Sequence, residues 1–318
     1  MRQKYTNQIL LALTAFIWGS AFTAQSVGMD YIGPFTFNSI RTFMGAVVLL
    51  PVILLTKRGG KITGAGTTAD NRETAGDRKA ADGRQSSGGW KTLAAGGICC
   101  GLALAAASSL QQIGLMYTSA GKAGFITALY ILIVPLMGLF LGKKAGVKVW
   151  IGVALAVVGM YFLCITEGFS IAKGDFFVLL CAVIFSIHIL VIDHFAPKVD
   201  GVCLSCVQFL VCGVLCAVPM FLIEKPHISE ILAAWMPLLY AGVLSCGVAY
   251  TLQVIAQKDT DPAVASLLLS LESVFSVLTG WAVLGERLSP RELFGCVLVF
   301  AAVLLAQIPG KHRLSGNQ

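Results

Sequence analysis

The sequence predicts an all-α polytopic membrane protein, with about ten transmembrane helices built as two inverted five-helix repeats. Three observations predict it. Apolar runs of about 20 residues, the length that crosses a bilayer core as a helix, follow one another along the chain. Charged residues make up only 12% of the sequence and gather in short clusters between those runs, and mean hydropathy is +0.82. Short motifs recur so as to divide the chain into two similar halves. A transmembrane β-barrel would show strands of about ten residues with alternating polarity, which this chain lacks. In hydrocarbon every backbone polar group must pair within its own segment, which leaves helices.

The expected spans are 8–27, 34–56, 92–116, 122–142, 147–165, 174–194, 201–223, 234–257, 262–284 and 291–308. The first follows Arg2 and Lys4 as a signal peptide would, but its apolar run is too long for one and more spans follow at once. Lys and Arg set the orientation. With the N-terminus in the cytoplasm, the inner loops hold the larger share, including Lys57, Arg58, Lys91, Lys143, Lys144, Lys148, Lys198 and Lys258. The outer loops hold Lys122, Lys173, Lys225, Arg287 and Arg291. Both termini are therefore expected in the cytoplasm, and the chain in a cell membrane. The net charge of +7 is accounted for by these helix-end residues, so no nucleic-acid partner is implied. Residues 58–90 are rich in Gly, Ser, Asp, Lys and Arg and almost free of large apolar side chains, which predicts a disordered cytoplasmic loop.

The ten cysteines all fall in apolar segments, where Cys acts as a small hydrophobe rather than as a disulfide framework. Cys203-x-x-Cys206 has a metal-ligand spacing but no second pair or His at ligand distance in sequence, so no metal is expected. A Gly-rich nucleotide loop with its Lys is absent, and no cofactor is implied. His-Glu-x-x-His is also absent, which weakens the alternative of a membrane-embedded enzyme.

The repeat is read from Leu141-Gly142-Lys143-Lys144, which lines up with Leu284-Gly285-Glu286-Arg287, from Gly152 with Gly295, and from Pro51 with Pro219. Residues 1–165 form the first unit, with the 58–90 loop inserted, and 166–318 the second. Five is odd, so the second unit enters the membrane upside down. That symmetry suits a protein exposing one midplane site to either side of the membrane in turn.

In the order and spacing of several residues the chain resembles the EamA-type transporters of the drug/metabolite transporter superfamily. They are Trp18-Gly19, Pro34 followed by Arg41, Gln112 with Gly114, Pro135, Gly174-Asp175 and Leu284-Gly285-Glu286. The resemblance covers nearly the whole chain. It implies ten helices, a central cavity, and export of amino acids or related metabolites. The chain departs from the family in its long loop after the second span. It has Lys143 where Glu is frequent, and Ser273 where a Pro usually follows the ninth-span Glu.

Ionisable groups inside spans are costly and are functional candidates. Glu272, Arg41 and His188 are three such groups, with Trp18 near the same depth. Glu272 is a proton-coupling or cation-binding candidate, or a structural partner of Arg41. Arg41 could clamp a carboxylate bidentately or serve as that partner. His188 could relay protons or simply satisfy a hydrogen bond. Neutral polar candidates are Gln111 and Gln112 in the third span, Thr127 and Tyr130 in the fourth, and Tyr250, Gln253 and Gln257 in the eighth. Ser266, Ser270 and Ser273, like Gly152 and Gly159, form small-residue stripes for close packing. Pro51 and Pro135 are expected to kink their helices. The expected protein is a secondary transporter of a small solute, coupled to protons or an uncoupled facilitator, in a lipid bilayer, as a monomer or homodimer.

Overall fold

The computed structural model describes residues 2–62, 75–118, 120–142, 146–164, 173–284 and 289–307. No strand occurs among them. The helices are α1 (Arg2–Gly28), α2 (Pro34–Ile62), α3 (Ala75–Leu115), α4 (Ala120–Ala128), α5 (Tyr130–Phe140), α6 (Val147–Cys164), α7 (Lys173–Phe195), α8 (Gly201–Pro219), α9 (Ile228–Ala233), α10 (Trp235–Leu239), α11 (Thr251–Gln257), α12 (Pro262–Leu269), α13 (Leu271–Leu284) and α14 (Pro290–Gln307). Met220–Glu224 and Tyr240–Tyr250 have π-helical geometry.

Eight segments among the described residues are long and apolar enough to cross a membrane. They comprise α1, α2, α3, the α4–α5 pair, α7, α8 with its π extension, the α10–α11 segment and the α12–α13 pair. Two shorter apolar stretches, Val147–Gly159 and Leu293–Leu305, lie within α6 and α14. Exposed Tyr31, Tyr117, Tyr161, Trp235 and Trp281 sit near one set of helix ends, and Tyr5 and Trp90 near the other. Such aromatic belts mark the two interfaces of a bilayer. We call the end holding the start of α1 proximal and the opposite end distal.

The predicted disorder over 58–90 meets helical backbone on both flanks. α2 runs to Ile62 and α3 begins at Ala75, while residues 63–74 lie outside the described ones. No proline interrupts either flank, so helix propagates outward from the membrane spans.

The fourth and ninth spans are each broken near the middle. Leu129 separates α4 from α5 with φ −60° and ψ −12°. Ser270 separates α12 from α13 with φ −62° and ψ −12°. Both breaks tighten into i→i−3 bonding, with Leu132 N–H donating to Leu129 O (3.0 Å) and Ser273 N–H to Ser270 O (3.2 Å). Pro135 lies inside α5, beyond the break. The ninth-span break has no proline in it. Ser266, Ser270 and Ser273 instead turn their hydroxyls back onto carbonyls three residues earlier, at 3.0, 2.8 and 2.7 Å. Such back-bonding competes with the helical ladder. The serines thus shape the helix as well as pack it.

The spans pack in a regular scheme. α6 lies along α14, and α2 along α8. α3 packs on α7 as α1 packs on the α10–α11 segment. α1 packs on α13 as α7 packs on α4 and α5. Glycines allow the closest crossings. A Cβ on Gly19 would fall 2.5 Å from Phe275 Cβ and 2.6 Å from the carbonyl oxygen of Glu272, so only hydrogen fits where α1 meets α13.

Candidate functional site

The helices converge at mid-depth on a small cavity of about 30 Å3. α1 contributes Trp18, Phe22 and Gln25; α2 contributes Arg41; α3 contributes Gln111. Thr127 and Tyr130 arrive from either side of the Leu129 break, and Glu272 from just beyond the Ser270 break. The two irregular points of the bundle therefore bring side chains to one space. α7 supplies Phe185, His188 and Ile189, and the α10–α11 segment supplies Ser245, Tyr250 and Gln253.

Of the sequence candidates, Glu272, Arg41, His188, Trp18, Tyr130, Tyr250 and Gln253 line this cavity. Gln112 does not. Its amide N–H points to Met29 Sδ at 3.7 Å, and its neighbour Gln111 takes the wall position, donating to Thr127 Oγ1 at 3.2 Å. Adjacent helical residues point about 100° apart, so a polar pair gives no clue to which one faces inward. Sequence reasoning also passed over Gln25 and Ser245. Gln25 accepts from Arg41 Nη1 at 2.8 Å. Ser245 and Tyr250 share the wall at a spacing of five, which fits π rather than α geometry.

Arg41 is 2% exposed and lies 5.7 Å from the centre of the Phe37 ring. It is not ion-paired with Glu272: its described hydrogen bond goes to Gln25, and its Nε remains buried and unpaired. Glu272 is 3% exposed. Tyr130 is its polar neighbour in the cavity, close enough to interact with the carboxyl although the phenol oxygen and Glu272 Oε1 do not meet in full hydrogen-bonding geometry. Trp18 Nε1 and Gln253 Oε1 are likewise unpaired.

His188 sits 3.0 Å from Gln208 Oε1 through Nε2. With the amide oxygen as acceptor, the contact is made by the tautomer that carries its proton on Nε2. Tyr250 anchors an aromatic wall, 4.5 Å from Trp18, 6.1 Å from His188 and 5.8 Å from Phe209 between ring centres. Gln257, on the face of Tyr250 and Gln253, donates instead to the carbonyl of Ile189 at 2.7 Å and ties α11 to α7.

Buried polar atoms in proteins are overwhelmingly paired. Several unpaired ones lie elsewhere in the bundle, at Asn38, Ser205 and Thr251 among others, but Trp18, Arg41, Tyr130, Gln253 and Glu272 each bring one to this cavity, donors (Arg41 Nε, Trp18 Nε1) and acceptors (Glu272 Oε1, Gln253 Oε1) among them. One guanidinium and one carboxyl group supply opposite formal charges. The arrangement can hold a small polar molecule that carries both kinds of hydrogen-bonding group. Among the described residues that line it, no hydroxyl or thiol is hydrogen-bonded to a His or carboxylate base.

Comparisons with known proteins agree. The sequence matches the EamA-like transporter family over residues 6–71, 74–165 and 172–307. It is 31% identical over 300 residues to an uncharacterized transporter of Archaeoglobus fulgidus, covering 94% of this chain and 84% of that protein. It is 21% identical over 296 residues to the uncharacterized transporter YoaV of Bacillus subtilis, covering 91% of this chain and 92% of that protein. A solved crystal structure shares the fold at TM-score 0.71 and 19% identity, over 94% of this chain and 95% of that one. The chain is thus a multi-pass membrane transporter and not an enzyme, and it belongs to the EamA-like transporter family of the drug/metabolite transporter superfamily.

Proposed function

We propose that this protein is a secondary transporter that exports small zwitterionic metabolites, amino acids or close relatives, across the cytoplasmic membrane by alternating access. The observation that carries this reading is the set of unpaired buried groups around one cavity. Arg41 holds the substrate carboxylate through Nε and its remaining N–H groups. Glu272 and Gln253 accept from the substrate ammonium. The aromatic wall of Trp18 and Tyr250 takes the apolar part. Protons drive the cycle through Glu272, which exchanges its proton for the substrate cation.

Alternating access operates between two inverted five-helix units, 1–165 and 166–318, with α6 and α14 completing a ten-helix set. Exchanging the units maps the α3–α7 contact onto the contact of α1 with the α10–α11 segment, and the α1–α13 contact onto that of α7 with α4 and α5. The paired breaks at Leu129 and Ser270 obey the same exchange. Both termini lie in the cytoplasm on the Lys and Arg asymmetry of the loops, which makes the proximal end cytoplasmic.

The test is uptake of a labelled panel of amino acids and metabolites into proteoliposomes, with and without a pH gradient, beside Glu272→Gln. Accumulation only under the gradient, lost in a variant that still equilibrates substrate, supports coupling at Glu272. Gradient-independent transport unaltered in the variant leaves an uncoupled facilitator. If no zwitterion moves but another solute does, the substrate assignment fails.

A further inference from the structure

Two carboxylates outside the cavity join the halves of the chain, both at the distal end. Asp175, at the start of α7, pairs with Lys122 of α4 at 2.6 Å and accepts from Thr118 Oγ1 at 3.0 Å. The Asp175 side chain is only 6% exposed. Glu224, at the end of the π turn after α8, receives the first N–H groups of α2. Phe35 N–H donates to Oε1 at 2.8 Å, and Thr36 donates to Oε2 through N–H at 2.6 Å and Oγ1 at 2.5 Å. α2 opens with Gly33-Pro34 and has no capping side chain of its own, so the cap comes from the other half.

Beneath Asp175 and Lys122 lies an apolar cluster of Phe22, Leu115, Ala123, Ile126 and Val178. Phe22 is also a wall of the cavity. Thr127, another wall residue, is about 7.5 Å along the helix from Lys122. Cavity, apolar roof and ion pair are therefore stacked toward the distal surface.

The repeat makes the proximal end a natural comparison. Aligning Pro51 with Pro219 places Asn7 at the position of Asp175 and Thr56 at that of Glu224. Aligning Leu141 with Leu284 places Ala263-Val264-Ala265 around the position of Lys122. Each charged member of the distal ties thus has an uncharged counterpart.

We propose that Asp175–Lys122 and Glu224–α2 form a charged distal gate, and that opening the cavity to the distal side requires both ties to part. The proposal rests on the alternating-access reading above. The asymmetry gives the cycle an intrinsic bias: without substrate the distal side stays shut.

Cys181 is a built-in reporter. It is fully buried on α7, between the roof residue Val178 and the wall residue Phe185. An impermeant maleimide is applied to the distal side of oriented proteoliposomes without substrate, and Cys181 alkylation is followed by peptide mass mapping, which separates it from the other cysteines. Asp175→Asn with Glu224→Gln should raise the rate about tenfold. Asp175→Asn alone should give a smaller rise, and the exchange Lys122→Asp with Asp175→Lys should return the rate toward that of the native chain. Distal hydrogen exchange over 29–36 and 116–124 should rise in the same variants. Unchanged labelling and exchange in folded variants overturn the gate. So does an equal rise at the proximal Cys100, which marks general loosening. If the double variant does not fold, the single variant and the charge exchange decide by the same criteria. The readout needs no substrate, so a gate that responds while no zwitterion is transported would defeat the substrate reading and leave the gate standing.

Discussion

The fourth and ninth spans have the same backbone shape and opposite chemistry. Both break at mid-membrane with nearly identical dihedral angles, at Leu129 and Ser270. Beyond the break, one presents the neutral phenol of Tyr130 and the other the carboxyl of Glu272. They also reach the shape differently: the fourth span has no serine at its break and carries a proline six residues further on, while the ninth has three serine hydroxyls bonded back onto its carbonyls. The difference teaches that the break is common to both spans, whereas the carboxyl is found in the ninth alone. On the transport reading proposed above, the matched breaks serve the motion and the single carboxyl serves the coupling.

The largest test of that contrast exchanges the chemistry and leaves the shape. Glu272→Gln should lower gradient-driven accumulation by about a hundredfold or more, the scale for loss of a group that moves a proton. Its melting temperature in detergent should stay level or rise, because an unpaired buried carboxyl is removed. A fall in melting temperature with normal transport would instead make Glu272 structural. Tyr130→Phe, at the matching place, should cost far less in the same accumulation assay.

Arg41→Lys comes next. The planar guanidinium is replaced by a point charge that cannot bond bidentately, so substrate KM should rise about ten- to a hundredfold with little change in maximal rate. Normal KM in this variant would assign Arg41 to holding Gln25 alone.

Gly19→Ala tests the closeness of α1 to the broken ninth span. The added methyl meets backbone and Cβ atoms that cannot swing aside. A loss of about 1–3 kcal/mol is expected, read as a lower unfolding midpoint. The smallest effect is predicted for Pro135→Ala. If the break is architectural, transport should change by no more than about twofold, since the proline lies beyond the break and its missing N–H affects only one ladder bond. A large loss would give Pro135 the role of hinge that its residue type suggests.

Much of this was legible in the sequence, and the exceptions share a cause. Length and hydropathy mark the spans because the bilayer enforces both, and ionisable residues such as Arg41 and Glu272 stand out because burial is costly for them. Facing direction is less visible. Gln111 and Gln112 are equivalent in a hydropathy reading, and only packing decides which meets the cavity. Glu224 lies at a span end, where carboxylates are usually solvated, and its partner is the start of a helix far back in the chain. The break at Ser270 was concealed by the stripe of small residues that makes it, because serine spacing suits close packing and back-bonding equally. Arg41 and Glu272 are the converse case: opposite charges at one depth invite pairing, one of the alternatives that the sequence left open, but each faces the cavity with unpaired atoms.

The π-helical stretch Tyr240–Tyr250 has a consequence for how the eighth span can move. A π-helix carries more residues per turn than an α-helix, so this span holds chain in reserve. Converting part of it to α geometry lengthens the segment and rotates Tyr250 and Gln253 relative to Trp235 without breaking the helix. A change of helical twist in this stretch would therefore turn the aromatic wall of the cavity relative to the start of the span.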